Sequence, residues 1–155
     1  MGILHNLKLR LSPPRITDPD FGRLIFIFIP NEPEQSYWEC EWTFPKTGTV
    51  ISIGLRGGES GPLPEARKFY LGVLERFEQI LAAARPELGR VFKSWLQQDL
   101  PANIFTVVKL SGFGVEDLKT QPIEWDVSFE TTGEKWLGIT IPFVGDEAQE
   151  AVIDT

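Results

Sequence analysis

The hydrophobic period changes twice along this chain, and that change limits its fold more than any other feature. Over residues 37–44 the apolar side chains alternate: Trp38, Cys40, Trp42 and Phe44 share one face, and Glu39 and Glu41 the other. Ile51, Ile53 and Leu55 continue the pattern. A period of two marks half-buried strands. Between residues 64 and 96 the spacing becomes three and four. Ala66, Phe69, Tyr70, Val73, Phe77, Ile80 and Ala84 form one stripe, and Leu88, Val91, Phe92, Trp95 and Leu96 a second. That is the period of amphipathic helices. The period of two then returns with Trp125, Val127 and Phe129, and again with Leu137, Ile139, Ile141 and Phe143. Strands, helices and strands in that order predict an α+β fold: an antiparallel sheet of about six to seven strands, made of a meander, two central helices and C-terminal strands, with the helices on one face.

Local signals refine this. Leu7, Leu9 and Leu11 alternate with Lys8 and Arg10, which predicts an edge strand closed by Ser12-Pro13-Pro14. Pro45-Lys46-Thr47-Gly48 reads as a hairpin loop. The first helix begins at Pro64, runs for about 20 residues, and is expected to break at Arg85-Pro86 because proline removes a helical N–H. Asp99-Leu100-Pro101 ends the second helix. Residues 104–110 read as a further strand, and Gly112 and Gly114 as a turn or bulge. With no repeat and no linker, residues 1–155 are read as one domain. Its last ten residues, 146–155, form an acidic tail for which helix, strand and flexible coil all stay open.

The titratable inventory excludes much chemistry. Cys40 is the only cysteine and His5 the only histidine. No internal disulfide can form, and neither a Cys/His zinc site nor a histidine-based triad can be built without His5. The longest apolar run, residues 24–29, has six residues, far short of the ~20 of a membrane span. The first residues lack the features of a signal peptide. These points predict a cytoplasmic protein with no membrane partner.

Net charge is −7, from 15 basic and 22 acidic side chains, which argues against a nucleic-acid partner. The charge is unevenly placed. Residues 116–155 hold ten acidic side chains against Lys119 and Lys135, so the acidic excess lies in this quarter of the chain. A basic protein partner is therefore expected, with Glu124, Asp126, Glu130, Asp146 and Glu147 as its candidate contacts.

Two other readings compete. Glu39 and Glu41 share one strand face, and Asp126 and Glu130 another. If the strands meet, the four could serve a carboxylate-dependent hydrolase or hold a divalent ion. The plainer alternative is the solvated face of a sheet buried on one side. Trp38, Cys40 and Trp42 could also line a small-ligand pocket with Trp125 and Trp136, against the alternative of a bulky packed core. The glycine-rich stretch 54–61 lacks the Gly-Lys-Ser/Thr ending of a phosphate loop and reads as a plain loop. No catalytic residue, cofactor or resident metal is assigned.

Residues 16–24 (Ile-Thr-Asp-Pro-Asp-Phe-Gly-Arg-Leu), the tryptophan-bearing strand 38–42, strand 50–55, the helix from Pro64, the segment 125–130 and the segment 136–141 form a recurring order. Over about residues 16–145 it resembles a group of bacterial domains of unknown function, some of which are similar to immunity proteins of toxin systems. Some members carry a histidine after the glycine of the last strand. Here Ile139 follows Gly138, so histidine chemistry does not carry over, and no functional residue is transferred. The resemblance implies a non-enzymatic module that binds a protein partner, and the acidic C-terminal strands imply that the partner is basic.

Overall fold

The two alternating stretches become strands, and the stretch spaced by three and four becomes helices. The computed structural model describes residues 2–155. In chain order the elements are α1 (Ile3–Leu11), β1 (Arg15–Asp18), β2 (Gly22–Ile27), β3 (Tyr37–Thr43), β4 (Val50–Gly58), β5 (Gly61–Pro62), α2 (Pro64–Glu75), α3 (Phe77–Val91), β6 (Val108–Val115), β7 (Glu124–Thr131), β8 (Gly138–Val144), β9 (Glu147–Ala148) and β10 (Val152–Asp154). A π-type turn at Phe92–Leu96 extends α3.

Among the described residues all ten strands join one sheet in the order β1-β2-β3-β4-β6-β7-β8-β10, with β5 added to β4 and β9 to β8. Every pairing is antiparallel except the central one, where β4 and β6 run parallel. The sheet is thus two meanders joined at one parallel seam, with α2 and α3 forming the crossover between them. Parallel neighbours need such a crossover because no tight turn can reverse the chain twice.

The core lies between the helices and one face of the sheet. Phe69 of α2 meets Trp125 of β7 edge-on at 5.7 Å between ring centroids. Phe77 of α3 meets Phe44 at 4.8 Å. Trp38, Leu55, Val127, Phe129, Ile139 and Ile141 are fully enclosed beneath them, each contributing about 1.5–3 kcal/mol of burial. The opposite face turns Glu39, Glu41, Ser52, Lys109 and Glu124 to solvent. Among the described residues no helix is long and apolar enough to cross a membrane.

The α+β class stands, and several finer expectations need correction. The sheet has ten strands rather than six or seven. Four of them, β1, β5, β9 and β10, span only two to four residues, too few to display an alternation. The acidic tail supplies β9 and β10, both paired with β8.

Residues 3–11 form a helix, not an edge strand. The three leucines fit a period of two, but Ile3, Leu4, Leu7 and Leu11 together fit the helical spacing, and Leu, Lys and Arg are good helix formers. The helix ends at Ser12, ahead of Pro13, where proline disfavours helical backbone.

The helical break falls at Arg76, between α2 and α3, and not at Pro86. Phe77, Ile80, Ala84, Leu88 and Val91 keep one buried stripe straight through the proline. Pro86 and Ala82 both face solvent, so the carbonyl that proline leaves without a helical donor can take water.

Residues 104–106 form a short 3-10 turn, and β6 starts only at Val108. Gly112 and Gly114 lie within β6, where a register shift between Leu110 and Gly112 marks a bulge rather than a turn. Residues 54–58 belong to β4, not to a loop. There Gly57 is held so close to β5 that a methyl group on it would lie 2.4 Å from the Gly61 carbonyl oxygen.

Candidate functional site

On the solvent face, register aligns residues into rows. Glu39 pairs with Gly54 and Glu41 with Ser52 across β3 and β4. Ser52 pairs with Gly112 at the parallel seam. Gly112 pairs with Ser128 and Gly114 with Asp126 across β6 and β7. The middle of this face is therefore built of small residues, with carboxylates on β3 along one side and on β7 along the other.

At the seam, β4 and β6 meet in register only at Ser52 and Gly112. Toward their C-terminal ends a cleft of about 330 Å³ opens, bordered by Tyr37, Glu39, Gly54, Arg56, Tyr70 and Glu116. Arg56 straps its far end: the guanidinium donates to the Gln35 side chain and, at 2.8 Å, to the Glu116 carbonyl. From the helix side, the Tyr70 hydroxyl donates to the Gly54 carbonyl at 3.2 Å. Burial, and then the charge of Asp126, push the Tyr70 phenol well above its ordinary range. Asp126 is half-buried beside the cleft. Burial raises its pKa above the ordinary carboxylate value, and the nearby negative charge of Glu116 adds to the rise.

Of the five residues expected to meet a partner, Asp146 stands apart from the others. Glu124, Asp126 and Glu130 stand on the solvent face of β7. Glu130 is paired with Lys109 at 2.9 Å. Asp146 instead pairs at 2.6 Å with Arg76, the residue between α2 and α3. Glu147 sits on the short strand β9 opposite Val144, which itself pairs with Glu124, so register puts Glu147 on the same face as the acids of β7.

In the alternative set, β4 and β6 separate Glu39 and Glu41 from Asp126 and Glu130. Three strand spacings put the carrier backbones about 14 Å apart, with the small residues of β4 and β6 between them. Among the described residues no group of three or more His, Cys, Asp or Glu side chains is placed to hold a metal ion.

Trp38, Trp42 and Trp125 lie in the core, while Trp136 is 44% exposed. Trp38 and Trp125 each donate an indole N–H, at 2.8 Å, to the carbonyls of Gly58 and Gly145. They brace the end of β4 and the turn between β8 and β9, and do not border the central cleft. Cys40 is buried, with its thiol donating to the Phe21 carbonyl. Burial first, then Asp18 and Glu41, push its pKa up to about 11, which makes it a poor nucleophile. His5 pairs with Glu59 at 2.9 Å on the surface.

Tyr37, Arg56, Tyr70 and Glu116 carry the cleft, and the reading of charge and alternation did not single them out. One signal was present: an isolated glycine in a strand marks a close approach of other atoms. A methyl group on Gly54 would stand 3.1 Å from the Tyr37 ring, and one on Gly114 3.0 Å from the Asp126 carboxylate.

The chain matches no protein-family model, no curated protein and no solved structure.

Proposed function

We propose that this protein is an interaction module that binds a basic protein partner on the solvent face of its sheet, centred on Glu124, Asp126 and Glu130. The observation that carries this reading is the row of three carboxylates on β7, of which, among the described residues, only Glu130 is engaged in an ion pair. Such a face speeds encounter with a cationic surface and sets its orientation. Asp146 is occupied by Arg76 and contributes less. A toxin is the kind of partner that the immunity-protein resemblance implies, and the acidic face implies that its surface is cationic.

An octa-arginine peptide serves as a probe, with octa-glutamate as its control, and binding is followed by amide chemical shifts. The expected result is salt-sensitive binding of the arginine peptide alone, with shifts grouped on β6 and β7. The triple change Glu124→Gln, Asp126→Asn and Glu130→Gln should weaken it at least about tenfold, while Asp146→Asn changes it little. Binding that survives the triple change, or shifts confined to β9 and β10, overturns the proposal.

A further inference from the structure

The acidic face leaves a second surface unexplained. Helix α1 holds to the body by Leu9, which is 4% exposed and packs near β2, and by the contact of His5 with Glu59. Its other large apolar side chains point away. Ile3 is 87% exposed, Leu4 83%, Leu7 47% and Leu11 76%. At about 100° per residue these four fall within an arc of about 100°, on the side opposite Leu9. Lys8 and Arg10 lie along the two borders of that arc. No acidic side chain occurs before Asp18, where Lys8, Arg10 and Arg15 are the charged residues.

We propose that α1 is an interfacial helix that lays Ile3, Leu4, Leu7 and Leu11 into the surface of an anionic lipid bilayer. The arrangement suits a flat, apolar, negatively charged surface. The stripe is continuous and outward, and basic side chains at its borders can lay their stems on the acyl region while their charges reach the headgroups. The anchoring residue Leu9 sits on the opposite side, so α1 can engage without leaving the body.

A second copy of the chain fits less well. Paired α1 helices would bring Lys8 and Arg10 against their own counterparts with no acid to answer them. A helix about 13 Å long also falls short of the ~800 Å² per partner that a stable interface buries. The chain's net charge of −7 does not forbid the contact. The acidic strand β7 lies four strand positions from β2, or about 19 Å, beyond the screening length of ~8–10 Å.

The test is flotation of the intact protein with vesicles of phosphatidylcholine alone, or of phosphatidylcholine and phosphatidylserine at roughly 2:1, with sedimentation equilibrium in parallel. The protein should float with the phosphatidylserine vesicles and not with the neutral ones. The pair Leu4→Asp and Leu11→Asp, and separately Lys8→Glu with Arg10→Glu, should each reduce the bound fraction at least about tenfold. These side chains are exposed, so unchanged melting curves confirm that the variants fold. Absence of flotation, or flotation indifferent to both pairs, overturns the proposal. So does a dimer abolished by the Leu4/Leu11 pair without vesicle binding, which would make the occupant a second copy. The triple change on β7 should leave flotation intact, so this result stands or falls apart from the basic-partner reading.

Discussion

The carboxylate of Asp126 occupies the space above Gly114: a methyl group placed there would stand 3.0 Å from each of its two oxygens. The missing side chain on β6 is what allows the acid on β7 to lean toward the central cleft. Gly114→Ala should therefore cost about 1–2 kcal/mol of stability. In an Asp126→Ala background the same change should cost less than about 0.5 kcal/mol, because the clash is gone. Denaturant melts of the four proteins measure the coupling.

Asp126 also has a defined pH signature. Its native pKa is raised, by burial first and by Glu116 second. Its ionised form therefore costs more in the folded state than in the unfolded chain, and Asp126→Asn should raise the melting temperature at pH 7. The advantage should shrink as pH falls through the raised native pKa toward the unfolded value of about 3.9. Melting curves from pH 7 to pH 3.5 check this, and a constant difference over that range would contradict the assignment.

Asp18 has the opposite sign. Burial raises its pKa, but hydrogen bonds from Arg67 and from the Asp20 and Phe21 amides outweigh that, and the net value is lowered. The Arg67 guanidinium also reaches Asp20 at 2.5 Å and lies 5.4 Å from the centre of the Phe21 ring. Arg67→Ala should lose about 1–2 kcal/mol at pH 7. The stabilisation from Asp18 is present above the unfolded pKa of about 3.9 and is lost as pH falls through the depressed native one. The gap between wild type and variant should narrow in that window. It should not close, because the contact with Phe21 does not depend on pH.

Cys40 should resist modification in the folded protein. With its thiol buried and its pKa near 11, reaction with a thiol reagent at pH 8 should run roughly a hundredfold or more slower than with free cysteine. The rate should recover in denaturant, along the unfolding transition. Rapid labelling under native conditions would show that β3 opens.

Gly57 and Gly58 make a matched pair. A methyl group on Gly57 would meet backbone on two sides, 2.4 Å from the Gly61 oxygen and 2.7 Å from the Pro62 Cα, whereas one on Gly58 meets nothing within 4 Å. Gly57→Ala should cost about 2–3 kcal/mol and Gly58→Ala less than about 1 kcal/mol. Equal costs would mean that the β4–β5 hairpin yields enough to accept a methyl group at Gly57.

The long strands were legible because each buries one face and so carries its own alternation. Trp38, Cys40 and Trp42, and likewise Trp125, Val127 and Phe129, point inward as the pattern requires. The two-residue strands β5 and β9 carry no such record. At the site, the acids of β7 could be read directly. Tyr70 and Arg56 could not, since one arrives from a helix and the other spans two strand ends.

The sequence by itself determined the α+β class, the inward faces of the long strands and the concentration of negative charge in the last quarter. Those are local properties of period and composition. Tertiary structure decided which neighbours those segments acquired. It joined β4 to β6 in parallel, drew Asp146 away to Arg76, and left Ile3, Leu4, Leu7 and Leu11 facing outward on a helix held by Leu9. It also carried α3 through Pro86 and placed the break at Arg76. The physical reason is the same in each case. Periodicity records which side of a segment is apolar, while the partner that covers it, or fails to, is settled only when distant segments pack together.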